Sequence, residues 1–333
     1  MKPAANNITA YHHPSVRKHD GGCALTIGNF DGCHLGHQKL ITRTLATAEL
    51  LKVSAASLTF SPRPDIFFNP ERTNDDNLFT EDMKSRAFHE LNIGIHYVQK
   101  FTSATCQMLP DTFYQSVLIK ELNAKAIIVG ENFRYGQGRA GDSKQLLASG
   151  NAHDVSTFIE ESAKLTDRIV SSTQIRAAIR VGDVVLASQM LGRPYLLEGI
   201  LKKGDQLGRQ LSFPTLNLKT TELLIPANGV YAGYAWVKDI QTGKHPSILS
   251  LHPKAMPAAI NVGIRPTVSG LSLRVEAHVL SEYSQENTYD VAAGFYFVER
   301  IRDEAKFKNL DELKAQIGKD TEKARSLLAP IIK

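Results

Sequence analysis

The chain has 333 residues, a formal net charge of +5, and 42% hydrophobic against 22% charged residues. That balance excludes a disordered or fibrous chain and leaves room for two domains with cores of their own. Residues 1–22 lack the apolar centre of a signal peptide, no stretch is apolar enough to span a bilayer, and Cys23, Cys33 and Cys106 are few and unpaired by spacing, so a cytoplasmic protein is expected.

The first half alternates. CALTIG (Cys23–Gly28) and SAASLTF (Ser54–Phe60) read as buried strands, with a helical pattern from His37 to about Leu51 between them. IHYVQKF (Ile95–Phe101) and AKAIIVG (Ala124–Gly130) are further strands, separated by a helix that opens at Pro110 and Asp111. Such alternation predicts an α/β domain with a parallel sheet and helices on both faces. The character changes near Gly192. Runs rich in Val, Tyr, Ile and Leu follow, among them Gly229–Val237, Ala258–Ile264, Leu273–Leu280 and Gly294–Ile301. They predict a mainly β domain, a small antiparallel barrel. Asn309 followed by Glu312 has capping-box spacing and starts a last helix that reaches about Leu328. Two unlike domains, 1–187 and 188–333, are therefore expected.

Basic residues are dispersed along the chain, and no arginine-rich tract or aromatic-plus-basic strand stands out. This favours small phosphorylated ligands over nucleic acid, and no membrane partner is expected. Oligomeric state is open at this level.

GNFDGCHLGH (Gly28–His37) lies between the first strand and the first helix. A glycine-rich turn from a parallel strand into a helix gathers main-chain amides at an electropositive helix mouth, where phosphate binds. Gly28 and Gly32 would permit tight bends, and His34 and His37, three apart, would face one anion. The stretch is neither the G-x-G-x-x-G fingerprint nor a P-loop. A metal bound by Asp31, Cys33, His34 and His37 is a second reading, and a turn with two surface histidines a third. Ser171 and Gln174 in SSTQIR have capping-box spacing at another helix start, which by itself describes a capped helix with a solvent-facing arginine, Arg176. Thr215 and Asn217 in FPTLNL lie two apart, on one face if extended, and would suit a hard cation. Glu276 in LRVEAHVL sits between apolar neighbours, where a carboxylate is costly unless used or paired; a buried salt bridge is the structural alternative.

Four segments in order, GNFDGCHLGH, VGENFRYGQGRAGD (Val129–Asp142), VSSTQIRAAI (Val170–Ile179) and GRQLSFPTLNL (Gly208–Leu218), resemble those of the bacterial bifunctional riboflavin kinase/FMN adenylyltransferase (FAD synthetase) family. The resemblance runs from about residue 20 to the end. It implies a Rossmann-like nucleotidyltransferase domain and a small Greek-key barrel with a C-terminal helix. The first would adenylate FMN and the second would phosphorylate riboflavin, both with ATP and Mg²⁺. By the same resemblance, Gly28, Asn29, Phe30, Asp31 and Gly32 shape the first ATP site, and His34 and His37 stabilise the charge of the transition state. Asn132, Phe133 and Arg134 line the nucleotide or flavin cleft, and Ser171, Ser172, Thr173 and Arg176 contact ATP phosphates. In the kinase, Thr215 and Asn217 hold Mg²⁺ and Glu276 is the general base. Lys202–Gln210, with Gly204, Gly208 and Arg209, forms a flap over ATP, Pro214 precedes the metal site, and Arg302 faces the flavin. Departures from the family pattern are Arg63 where histidine is usual, Gln174 for arginine, Asn132 for aspartate, Ser212 and Leu216, and Thr288–Asp290. Rival readings are a kinase with weak or lost adenylyltransferase activity, a nucleotidyltransferase for another phosphate acceptor, and a non-catalytic flavin-binding or nucleic-acid-binding protein.

Overall fold

The computed structural model describes residues 8–12, 21–69, 76–204, 213–220, 222–238, 247–267, 270–281, 283 and 289–329. They divide into two compact units, one within 1–73 and 79–171, the other within 74–78 and 172–333. The composition change near Gly192 predicts an activity boundary at 187/188. The compact division falls at 171/172, since the helix Val184–Leu191 packs on strands of the second unit.

The first unit is built on a six-stranded sheet. Its strands are β1 (Ile8–His12), β2 (Cys23–Ile27), β3 (Ser54–Ser61), β4 (Ile95–Lys100), β5 (Ala124–Gly130) and β6 (Ser156–Glu160), in the order β1-β4-β3-β2-β5-β6. All neighbours are parallel except β1, which adds antiparallel to β4. The near-continuous apolar runs of β2, β3 and β5 suit strands covered on both faces. Helix α1 (Leu35–Leu51) crosses from β2 to β3, and Lys52 ends it in the left-handed region, φ 55°. Helix α2 (Glu81–Glu90) starts at Thr80, whose hydroxyl accepts from the Met83 amide at 3.2 Å. Pro110–Thr112 opens α3, which continues over Phe113–Glu121 with the wider π pitch; α4 (Ser143–Ala152) is capped by Asp142. Helix α1 packs on β2, β3 and β5. Leu25, Ile27, Leu58, Ile127 and Val129 meet Phe113, Val117 and Leu118 in the core.

The strand order reverses between β2 and β5. There the loops at the carboxyl ends diverge, which is where open α/β sheets bind ligands. The chain continues from β2 into Gly28–His34 and from β5 into Glu131–Arg134.

In the second unit, α5 (Ser172–Arg180) and α6 (Val184–Leu191) precede a closed barrel. The barrel strands are β7 (Tyr195–Lys202), β8 (Thr215–Lys219), β9 (Gly229–Val237), β10 (Met256–Thr267), β11 (Gly270–Val279) and β12 (Ala292–Arg302). Their order, β7-β8-β11-β10-β9-β12, is antiparallel throughout and contains a Greek key, because β8 returns to lie beside β11. Tyr195, Tyr231, Trp236 and Tyr296 are buried, Tyr195 and Tyr231 against Phe297 on one face of the wall and Trp236 and Tyr296 on the other. Helix α7 (Leu310–Leu328) packs on β9 and β10; Asn309 Oδ1 accepts from the Glu312 amide at 2.8 Å, the cap that the spacing predicts.

Candidate active sites

In the first unit, the Gly28–His37 loop is fixed from below by its own apolar and ionic anchors. Phe30, Gly32 and Cys33 have left-handed backbone, φ 49°, 80° and 42°. Gly28 does not; its missing side chain leaves room for the Phe30 ring, 3.2 Å from where a Cβ would stand. The expectation that both glycines bend the chain is thus corrected: Gly32 bends it, Gly28 makes space. The Phe30 ring is fully buried, edge-on to Phe88 and 5.0 Å from His37, so its side chain anchors the loop. Asn29 is exposed at the tip.

His34 and His37 stack with centroids 3.6 Å apart and planes 17° from parallel. His34 is the N-cap of α1, its Nδ1 accepting from the His37 amide at 3.4 Å. Gly36 lets this happen, since a Cβ there would lie 3.2 Å from the His34 ring. Two imidazoles and the first amides of a seventeen-residue helix therefore share one mouth, a donor array for phosphate oxygens.

Asp31 is almost fully buried, with both oxygens engaged: Oδ1 accepts from the Phe79 amide at 2.9 Å and Oδ2 from Arg63 Nη1 at 2.5 Å. It braces the loop rather than offering itself to a ligand. Arg63, set aside on sequence grounds, is equally buried and forks onto Asp65 as well. Among the described residues, no three His, Cys, Asp or Glu side chains converge so as to hold a metal ion.

Across the switch point, the loops after β5 and β6 are stitched together. The Ser162 amide donates to Glu131 Oε1 at 2.9 Å, holding that carboxyl below its ordinary range, and Asn132 Nδ2 donates to Ser162 Oγ at 3.2 Å. Arg134 is exposed and pairs with Asp142 at 3.0 Å; Phe133 stacks on Tyr135. An aromatic group unsignalled by any motif adjoins the carboxyl ends of β3 and β4: Phe60, Phe67, Phe68 and Phe101, the last three in mutual edge contacts.

Ser171 belongs to the first unit, whereas Ser172, Thr173, Gln174 and Arg176 begin α5 in the second. Arg176 Nε donates to the Asp76 carbonyl at 2.8 Å and Arg180 pairs with the Asp76 carboxylate at 2.5 Å.

The barrel presents a second polar row. Asn217 on β8 and Asn261 on β10 are both register partners of Glu276 on β11, so the three lie side by side across the sheet. Glu276 is buried, with Arg274 Nη1 3.9 Å from its Oε1. Thr215 shares the face of Asn217 by strand alternation. Gly204 lies against Asn217; a Cβ there would fall 2.5 Å from the amide. His278 Nδ1 lies 3.0 Å from the Pro214 carbonyl and so fixes the entry to β8. Gly208, Arg209, Ser212 and Thr288 lie outside the described residues; Lys202 pairs with Asp290. Arg302, expected at the flavin, forks onto Asp320 of α7 at 2.7 and 3.0 Å and ties the helix to β12.

Two family models match the chain: FAD synthetase over residues 16–174 and riboflavin kinase over 191–328. Bifunctional riboflavin kinase/FMN adenylyltransferases are similar over nearly the whole length. The protein of Haemophilus influenzae is 33% identical, covering 92% of this chain and 94% of its own. That of Escherichia coli K12 is 32% identical over 91% and 92%, and that of Bacillus subtilis 31% over 96% of each. A solved structure described as a macrolide-efflux protein from Streptococcus pneumoniae superposes with a TM-score of 0.79 at 25% identity, covering 94% of this chain and 97% of that one. No helix among the described residues is long and apolar enough to cross a membrane.

Proposed function

The chain belongs to the family of bifunctional riboflavin kinases/FMN adenylyltransferases, and on that premise we propose how its residues divide two successive reactions. The C-terminal barrel domain is the riboflavin kinase, making FMN from riboflavin and ATP. The N-terminal α/β domain is the FMN adenylyltransferase, making FAD from FMN and ATP with release of pyrophosphate. We assign 1–187 to the adenylyltransferase and 188–333 to the kinase.

One observation carries the reading of the first site: the stacked His34–His37 pair at the mouth of α1, beside the strand-order reversal. The FMN phosphate attacks the α-phosphorus of ATP as pyrophosphate leaves. Little covalent help is required; donors fixed in advance supply most of the effect. His34, His37 and the Gly28–Gly32 loop at the mouth of α1 bind the phosphates and stabilise the charge that grows on them. Within the same unit, Asn132, Arg134 and Ser171 add nucleotide contacts. The flat, largely apolar flavin ring is offered a stacking surface by Phe60, Phe67, Phe68 and Phe101.

In the kinase, Glu276 accepts the proton of the ribityl 5′-hydroxyl as the γ-phosphate arrives. Magnesium fits the residues present: the Thr215 hydroxyl and Asn217 amide are oxygen donors on one strand face, and Glu276 is the register partner of Asn217. Thr215 and Asn217 would hold it, and the ion would neutralise and orient ATP phosphate. We place both reactions in the cytosol, in keeping with three cysteines that form no disulfide, and take the partners to be small molecules.

Chromatography of products tests the division. With riboflavin, ATP and Mg²⁺, His37→Ala should accumulate FMN without FAD. Glu276→Gln should make FAD from supplied FMN but no FMN from riboflavin. If each substitution damages both steps equally in folded protein, the division is wrong.

A further inference from the structure

The loop that carries His34 and His37 is held from one side by a cation the reaction itself does not call for. Resting on the adenylyltransferase reading of this site, we propose that Arg63 is a positioning residue for AMP transfer. Its guanidinium clamps Asp31 and thereby sets where the loop amides and the two imidazoles stand.

The geometry is that of a bracket. Arg63 is 4% exposed and Asp31 1%, so the pair is cut off from water. Nη1 meets Asp31 Oδ2 at 2.5 Å, while Nε and Nη2 meet the two oxygens of Asp65 at 3.1 and 3.0 Å. One planar group thus joins the loop after β2 to the turn after β3. Only a guanidinium offers that fork with a charge that never titrates in the working range; an ammonium is a point charge that could serve one carboxylate well but not both.

The clamped residue stands where support is needed. Three positions in four, Phe30, Gly32 and Cys33, have left-handed backbone, and two of these are not glycine. Such a turn persists where its surroundings over-determine it. From Asp31 the contact path to the imidazoles is short. The preceding residue, Phe30, places its ring 5.0 Å from His37, and His37 stacks on His34. The far side of Asp31 is closed by the Phe79 amide, so the carboxylate has a single seat. Loss of Arg63 would leave a buried charge whose relief is to move outward, carrying the loop with it.

The experiment compares Arg63→Lys, Arg63→Met, Asp31→Asn and the Arg63→Met/Asp31→Asn double variant in the full-length protein, well below its unfolding temperature. Riboflavin phosphorylation in the same samples reports on the barrel, and circular dichroism on folding. A displacement of reacting groups by about 1 Å costs on the order of 100-fold, so Arg63→Met should lower kcat for FAD formation by about that factor. Arg63→Lys should lie in between, and the double variant should be no worse than the worse single one, since both act through one contact. Ring signals of His34 and His37 in nitrogen-edited NMR should move in the Arg63 variants. Should Arg63→Met fail to fold, Arg63→Lys carries the test. The proposal is overturned if folded Arg63→Lys and Arg63→Met keep kcat within about twofold, if the single losses multiply in the double variant, or if the histidine signals stay where they were. Were the wild-type protein to make no FAD from FMN, the adenylyltransferase reading would fall, while the histidine signals would still decide whether Arg63 holds the loop.

Discussion

His96 should make the first unit acid-sensitive in a window that can be stated in advance. It lies on β4, 1% exposed, with Thr59 Oγ1 2.9 Å from Nε2 and Ser85 Oγ 3.1 Å from Nδ1. Burial, then the neighbouring Lys84 and His89, push its pKa from 6.5 down to about 3. Lys84 is itself buried and paired with Glu81 at 2.8 Å. The native state therefore keeps His96 neutral while the unfolded chain takes up a proton below pH 6.5. Stability from this group is complete above 6.5, falls as pH drops toward 3, and is level below that. At about 1.4 kcal/mol per pH unit the whole span is worth about 5 kcal/mol, of which about 3 kcal/mol should be lost between pH 6.5 and 4.5. Urea unfolding of wild type and His96→Gln at pH 7 and 4.5 measures this, followed by circular dichroism. The single tryptophan, Trp236, lies in the barrel, so its fluorescence separates the barrel transition from that of the first unit. The pH-dependent loss should shrink by about 3 kcal/mol in His96→Gln. Equal losses in the two proteins, or a His96 ring that titrates near 6.5 by NMR, would refute the reasoning.

In the barrel, Gly204→Ala would drive a Cβ to within 2.5 Å of the Asn217 amide; kinase kcat/KM should fall about tenfold and the Mg²⁺ requirement rise, with FAD formation from FMN unchanged. Arg302→Ala strips Asp320, 4% exposed, of its fork, although Gln316 still donates to it at 2.9 Å. With Arg302 itself partly solvated, the cost should be about 2–3 kcal/mol, read as a lower urea midpoint in Trp236 fluorescence. At the aromatic group, Phe68→Ala should raise KM for FMN about three- to tenfold and leave KM for ATP unmoved, the scale of one lost ring contact.

Local pattern carried much of the fold. Ala124–Gly130, small and branched apart from the exposed Lys125, forms a strand over those same residues; Gly229–Val237 also forms a strand over its own run, and Asn309 caps the last helix as its spacing requires. What escaped depends on partners far away in the chain. Ile8–His12 has no clean alternation and is a strand only because the open edge of β4 is there to pair with it. The π pitch of Phe113–Glu121 leaves no mark in its apolar spacing. At the first site the glycine and histidine spacing was legible, but not which positions turn left-handed: that falls to Phe30, Gly32 and Cys33, because burial of the Phe30 ring, not glycine count, shapes the loop. Arg63 looked like a departure since only the folded sheet brings residue 63 against residue 31. The fork of Arg302 onto Asp320, eighteen positions on and on another element, is a pairing that local pattern does not show.

Residues 76–78 belong with the second unit, where Asn77 bridges to Leu223 and its carbonyl accepts from the Leu224 amide at 2.8 Å. The polypeptide therefore passes from one body to the other three times rather than once. A fragment ending near residue 187 would keep residues 76–78 but lose Leu223 and Leu224, to which Asn77 pairs. Dissecting the two activities is a task for point substitutions, and an inactive truncation would say more about that orphaned segment than about chemistry.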